Sequence, residues 1–132
     1  FTGDKHVKLT LNLKDSWKII CDQKRISQVI SNLVKNAIDF IPANNGEIII
    51  NAEKDNQGTI ISIQDNGIGI PIENAELIFD KFTQLENPKY IQHEGSGLGL
   101  AVCKGIVEAH GGRIWLDQNF KSGTRIQFLI PK

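Results

Sequence analysis

The stretch His93–Gly112, HEGSGLGLAVCKGIVEAHGG, governs the reading of the rest of the chain. Gly95, Gly97 and Gly99 lead into Leu98, Ala101, Val102, Ile106, Val107 and Ala109, an apolar series with the period of an amphipathic helix. Gly111-Gly112 closes that series with a C-terminal stop signal. Glycines at a helix start let backbone N–H groups approach a ligand, because no Cβ stands between them. Those unpaired N–H groups and the positive end of the helix dipole favour phosphate. Taken alone, the run serves a tight turn equally well. It is not a P-loop, since no Lys-Ser/Thr pair follows the last glycine, and it is a poor dinucleotide fingerprint, since no clear strand precedes it. A nucleotide has to be argued from partners elsewhere in the chain.

The first such partner is a long helix. From Gln23 to Ile41 the positions Ile26, Ile30, Leu33, Ala37 and Ile41 recur at helical spacing, Asp22 stands where an N-cap belongs, and Pro42 ends the segment. Gln28, Asn32 and Asn36 are spaced four apart and stack on one stripe. Asparagine is a weak helix former, so two on one stripe ask for a reason. The stripe is either a solvated face or a functional one on a helix covered over most of its surface.

The second partner is a strand end. Gly46–Lys54 and Thr59–Asp65 read as a hairpin across Asp55–Gly58. In its second arm Ile61, Ile63 and Asp65 share one parity, so the more apolar face carries Asp65 inward. A carboxylate there is costly unless a donor reaches it. Asn66-Gly67-Ile68-Gly69-Ile70-Pro71 follows at once. Asp65 is then either a capping residue of that turn or an acceptor for a ligand N–H, with the glycines letting a flat ring lie close.

The remaining elements follow from the same rules. Val7–Leu13 alternates as a strand with Val7, Leu9, Leu11 and Leu13 on a buried face, and Trp17–Cys21 is a second short strand. Glu73–Phe79 forms a short helix anchored by Phe79 and Phe82. Thr83–Glu94 is polar, aperiodic and contains Pro88, the profile of a surface loop. Arg113–Gln118 and Thr124–Ile130 are strands joined by Asn119–Gly123, and the parity of Ile126, Phe128 and Ile130 turns the Thr124 hydroxyl inward. This order predicts an α+β fold: a two-layer α/β sandwich whose mixed, mostly antiparallel sheet carries its helices on one face.

The 132 residues suffice for one domain with a core. Fifteen basic residues balance fifteen acidic ones, which argues against bulk binding of nucleic acid or a membrane surface. No apolar run approaches the roughly 20 residues of a membrane span. Cys21 and Cys103 lie in apolar segments and read as small core residues rather than a disulfide framework. Methionine is absent, position 1 included, so residues 1–132 are expected to be a single domain excised from a longer chain.

Taken together the motifs resemble a known set. QVISNLVKNAIDF resembles the N box, DNGIGI the first glycine box, FDKF the F box and GSGLGLAVCKGIVEAHGG the second glycine box of the catalytic and ATP-binding domain of sensor histidine kinases. Its Bergerat fold is shared with gyrase and related ATPases. Four motifs in order over nearly the whole chain are far more specific than one.

The resemblance implies ATP or ADP with Mg²⁺, and it implies site residues. Asp65 would accept the adenine amino group, supported by Thr124 through water, with Gly67, Gly69 and Ile70 walling the ring. Asn36, with Asn32 one turn earlier, would hold Mg²⁺ near the triphosphate, flanked by Lys35, Lys81 and Phe82. Gly95, Ser96, Gly97, Leu98 and Gly99 would cradle phosphate, and Thr83–Glu94 would close over the nucleotide. Two positions depart from the pattern. Asp39 stands where many relatives carry a lysine near the phosphates, leaving Lys35, Lys81 or Lys89 to compensate, and Gln84 stands where many carry an arginine.

His6, His93 and His110 lack the setting of a phospho-acceptor, and His110 reads as structural. The implied partners are therefore a dimerisation and histidine-acceptor domain of the same protein, then a response regulator. The implied location is cytoplasmic, whether or not the sensor is membrane-bound. The alternatives are a hydrolytic ATPase clamp of the gyrase or chaperone type, or a degenerate module that binds no nucleotide. Clamp enzymes place a glutamate where Asn32 stands, and asparagine cannot act as a base.

Overall fold

The computed structural model describes residues 7–13, 23–42, 44–54, 56–70, 77–79 and 99–131. Alternating sequence gives five strands there: β1 (Val7–Leu13), β2 (Gly46–Lys54), β3 (Gly58–Asp65), β4 (Arg113–Leu116) and β5 (Thr124–Pro131). They form one sheet in the order β1-β2-β3-β5-β4. β1 runs parallel to β2, and the other neighbours pair antiparallel. The helical periods give α1 (Gln23–Phe40) and α2 (Gly99–Ala109). A parallel β1–β2 pair requires a crossover, and α1 lies in it.

The helices cover the sheet face that the strand parities mark as apolar. Ile26, Val29, Leu33 and Ala37 of α1 are buried in one cluster with Ile48 and Ile50 of β2, Ile61 and Ile63 of β3, and Ile126 and Phe128 of β5. Cys103, Ile106 and Val107 of α2 join the same cluster. Each fully buried aliphatic side chain contributes about 1.5–3 kcal/mol. The opposite face is mixed: Ile49, Ile60 and Leu129 share it with polar side chains, where Arg125 donates to Gln64 Oε1 and pairs with Asp117 Oδ2 at 3.0 Å, and Trp115 Nε1 donates to Gln127.

α2 ends as its sequence requires. The N–H of Gly111 donates to the Glu108 carbonyl (2.9 Å) and that of Gly112 to the Val107 carbonyl (3.0 Å), with Gly111 left-handed at φ 79°. That is a Schellman cap. His110 Nδ1 bonds the Ile106 carbonyl at 2.8 Å, the structural role expected of it.

Four expectations need correcting or bounding. Leu9, expected on a buried face, is 54 % exposed, because α1 packs over β2 and β3 and the edge strand lies outside its footprint. α1 is covered on one face and its flanks rather than over most of its surface, with Gln28, Ser31, Lys35 and Asp39 exposed. Leu77–Phe79 is a 3-10 turn with Ile78 and Phe79 buried, where an α-helix was expected to end. β4 stops at Leu116, since Asp117 turns the chain by accepting from Asn119 N–H. Trp17–Cys21, the Asp22 cap and Thr83–Glu94 lie outside the described residues.

Candidate functional site

Asp65 closes β3 on the helix-covered face, between Ile48 of β2 and Thr124 of β5. It is 5 % exposed. Its Oδ1 accepts two backbone donors, Gly67 N–H at 2.8 Å and Thr124 N–H at 3.2 Å. Burial pushes the carboxyl up from 3.8 to about 6, and these two N–H groups hold it back from rising further. Both the inward parity and the turn-capping reading are therefore present in one residue. Capping alone does not require a carboxylate to be this deeply buried, and the cost of desolvation asks for a compensating partner.

Thr124 supplies a second unmet group beside it. The residue is 6 % exposed, and its Oγ1 is buried with no hydrogen-bond partner among the described residues. A buried hydroxyl without a partner costs about 1–3 kcal/mol. An acceptor carboxylate and a buried hydroxyl therefore lie on adjacent strands at the end of the helix-covered sheet face.

Glycines form the rest of this corner. Gly123 precedes Thr124 at φ 148°, and a Cβ there would lie 2.0 Å from the Asp65 carbonyl oxygen. Only glycine permits that approach. Gly69, left-handed at φ 80°, faces the Gly123 carbonyl in turn. Gly67 and Gly69 are half-buried, and Ile70 packs against the core. The structure thus brings Asp65, Gly67, Gly69 and Thr124 to one corner of the sheet. It adds Gly123, which the sequence left as an ordinary loop glycine.

The α1 residues divide. Lys35 is exposed, whereas Asn32 and Asn36 are half-buried. The Asn32 side chain lies close enough to the Cys103 thiol of α2 to favour its ionised form. That thiol is fully buried, donates to the Val29 carbonyl (3.7 Å), and is pushed up by burial to about 11. The bond from Cys103 to Val29 links the two helices, a contact that neither helix's sequence announces. Gly99 opens α2. Lys81, Phe82, Gly95, Ser96, Gly97 and Leu98 lie outside the described residues.

Comparison with known proteins gives this geometry its family. The profile of histidine kinase-, DNA gyrase B- and HSP90-like ATPases matches residues 21–132. The sensor histidine kinase WalK of Bacillus subtilis (strain 168) is 37 % identical over 133 aligned positions, covering 98 % of this chain and 22 % of WalK. The adaptive-response sensory kinase SasA of Synechocystis sp. is 39 % identical, covering 96 % of this chain and 33 % of SasA. The chain thus spans a third or less of these relatives. Among solved structures, the nucleotide-free catalytic domain of histidine kinase ThkA superposes with a TM-score of 0.81 at 34 % identity, over 96 % of this chain and 80 % of that one. The chain belongs to the histidine kinase-, DNA gyrase B- and HSP90-like ATPases, and its fold is that of the histidine kinase catalytic domain.

Proposed function

We propose that this domain holds ATP with the purine against Asp65 and presents the γ-phosphoryl group to a histidine on a dimerisation domain of the same protein. ATP binding itself goes with the family. The observation that carries the residue assignment is the buried Asp65 carboxylate beside the orphaned Thr124 hydroxyl. An adenine ring offers an amino N–H donor and ring-nitrogen acceptors, which suits an acceptor and a hydroxyl set side by side. Gly67 and Gly69 leave room for the flat ring.

The charged tail would run toward the helix pair. Among the described residues no group of three or more His, Cys, Asp or Glu is arranged to hold a metal ion by itself. An amide oxygen from α1 fits Mg²⁺ only if phosphate oxygens complete the shell, which is how that ion is commonly bound. Asn36 is the residue proposed to hold it, with Asn32 one turn back as a second amide beside it. When bound, the ion would supply charge neutralisation to the phosphates. Gly95, Ser96, Gly97, Leu98 and Gly99 are proposed to cradle them, with Lys35, Lys81 and Phe82 alongside.

This reading is favoured over a hydrolytic clamp, because Asn32 occupies the position where a water-activating carboxylate would be needed. A response regulator is the proposed next acceptor, by analogy with ThkA, whose complex with the response regulator protein TrrA resembles this chain over its catalytic part. No helix among the described residues is long and apolar enough to cross a membrane. A cytoplasmic position, where ATP is available, belongs to the proposal.

Isothermal titration with ADP or a non-hydrolysable ATP analogue tests it. Asp65→Ala should weaken binding by roughly 10–100-fold, the worth of a hydrogen bond to a charged group. An unchanged affinity refutes the purine assignment. In the intact protein, labelled ATP should yield an acid-labile phosphohistidine outside residues 1–132.

A further inference from the structure

Asn66 is exposed, yet its side chain is held at both ends by backbone some twenty residues earlier. Its Oδ1 accepts from Glu47 N–H at 2.8 Å, and its Nδ2 donates to the Asn45 carbonyl at 2.8 Å. Its own N–H donates to the Glu47 carbonyl at 3.3 Å. Paired residues in an antiparallel ladder exchange two backbone bonds at every second rung. The last backbone-registered rung here is Ile48 with Asp65, which places Glu47 opposite Asn66. At that next rung one bond is the ordinary backbone one. In the other, the Asn66 side chain replaces its own carbonyl, the mimicry for which asparagine is suited in turns.

The substitution frees the backbone at residue 66. A backbone carbonyl bonded to Glu47 would hold the chain extended along β2. With the side chain on Glu47 instead, the chain leaves the sheet at once, and the next N–H, that of Gly67, comes back to Asp65 Oδ1. The other end of the amide steadies the opposite strand. Asn45 has φ 63°, the left-handed region that L residues adopt at a cost, and it alone does so among the described non-glycine residues. The bond from Asn66 Nδ2 fixes the peptide that follows it.

We infer that Asn66 is a positioning residue for the purine subsite: its amide ends the β2–β3 ladder so that Gly67 N–H is delivered to Asp65. The inference rests on the reading of Asp65 as the purine acceptor for its functional consequence, though not for its geometry.

The test is Asn66→Ala, read by the pH titration of the Asp65 carboxyl carbon in labelled protein and by ADP calorimetry. Losing the Gly67 donor should move the Asp65 midpoint upward, by roughly half a pH unit or more. ADP affinity should fall about five- to tenfold, the net worth of one hydrogen bond. An unmoved midpoint overturns the inference even if affinity drops, because a merely structural role would leave that carboxyl untouched. If the parent fails to bind ADP, or Asp65→Ala binds it as tightly, the purine reading fails while the midpoint still decides the role of Asn66. Should the variant not fold, amide exchange in the parent carries the test. Slow exchange of Gly67 N–H and of the Asn66 side-chain protons supports the inference, and fast exchange at both overturns it.

Discussion

Asp65→Asn separates function from stability. The native carboxyl sits at about 6 against 3.8 when unfolded, so the folded state binds the proton more tightly. Between those values the native protein holds more protons than the unfolded chain, and stability is lost as pH rises from about 4 through 6. Above pH 7 the parent therefore carries a penalty of about 3 kcal/mol for a buried ionised group. The amide has the same shape, and its oxygen still accepts from Gly67 and Thr124. Its N–H₂ group needs partners of its own, which leaves a net gain of about 2 kcal/mol. In a domain of this size that raises the melting temperature at pH 8 by roughly 6–10 °C. At pH 4 the parent's carboxyl is protonated in the native state, and the variant should be no more stable than the parent. Thermal melts across pH 4–8, paired with calorimetry for the expected loss of nucleotide binding, provide the assay. A stability difference that stays constant with pH, or a variant less stable at pH 8, refutes the reasoning.

Asn36→Ala should leave triphosphate binding nearly insensitive to Mg²⁺ in calorimetry, whereas the parent should bind more tightly with the ion; equal dependence in both removes Asn36 from the metal site. Gly123→Ala places a Cβ on the Asp65 carbonyl oxygen and should cost about 2–4 kcal/mol in urea unfolding, through overpacking and backbone strain. A loss below about 0.5 kcal/mol would mean the β3–β5 corner yields easily, which close-packed backbone should not. Cys103, fully buried with its thiol held near 11, should resist alkylation at pH 8 in the native protein and react after denaturation, as mapped by mass spectrometry. Rapid native labelling would show that α1 and α2 separate readily.

What local pattern encodes could be read without the fold. Period two in Ile61, Ile63 and Asp65 points the carboxylate inward, and the same period in Ile126, Phe128 and Ile130 turns Thr124 toward it. Period 3.6 and the Gly111-Gly112 stop place both helices within a residue or two. Alternation along β1 misled at Leu9, because a strand's pattern states which side chains share a face and not whether a helix reaches over them.

Tertiary structure alone decided the rest. Thr124 N–H meets Asp65 across 59 residues, Cys103 meets Val29 across 74, and Asn66 takes the place of its own carbonyl against a strand 19 residues earlier. Each of these depends on sheet order and helix placement, which local periodicity does not specify. A side chain's face follows from its neighbours in sequence; the groups that meet it, and hence the charge state of Asp65, follow from chain segments that only folding brings within hydrogen-bond distance.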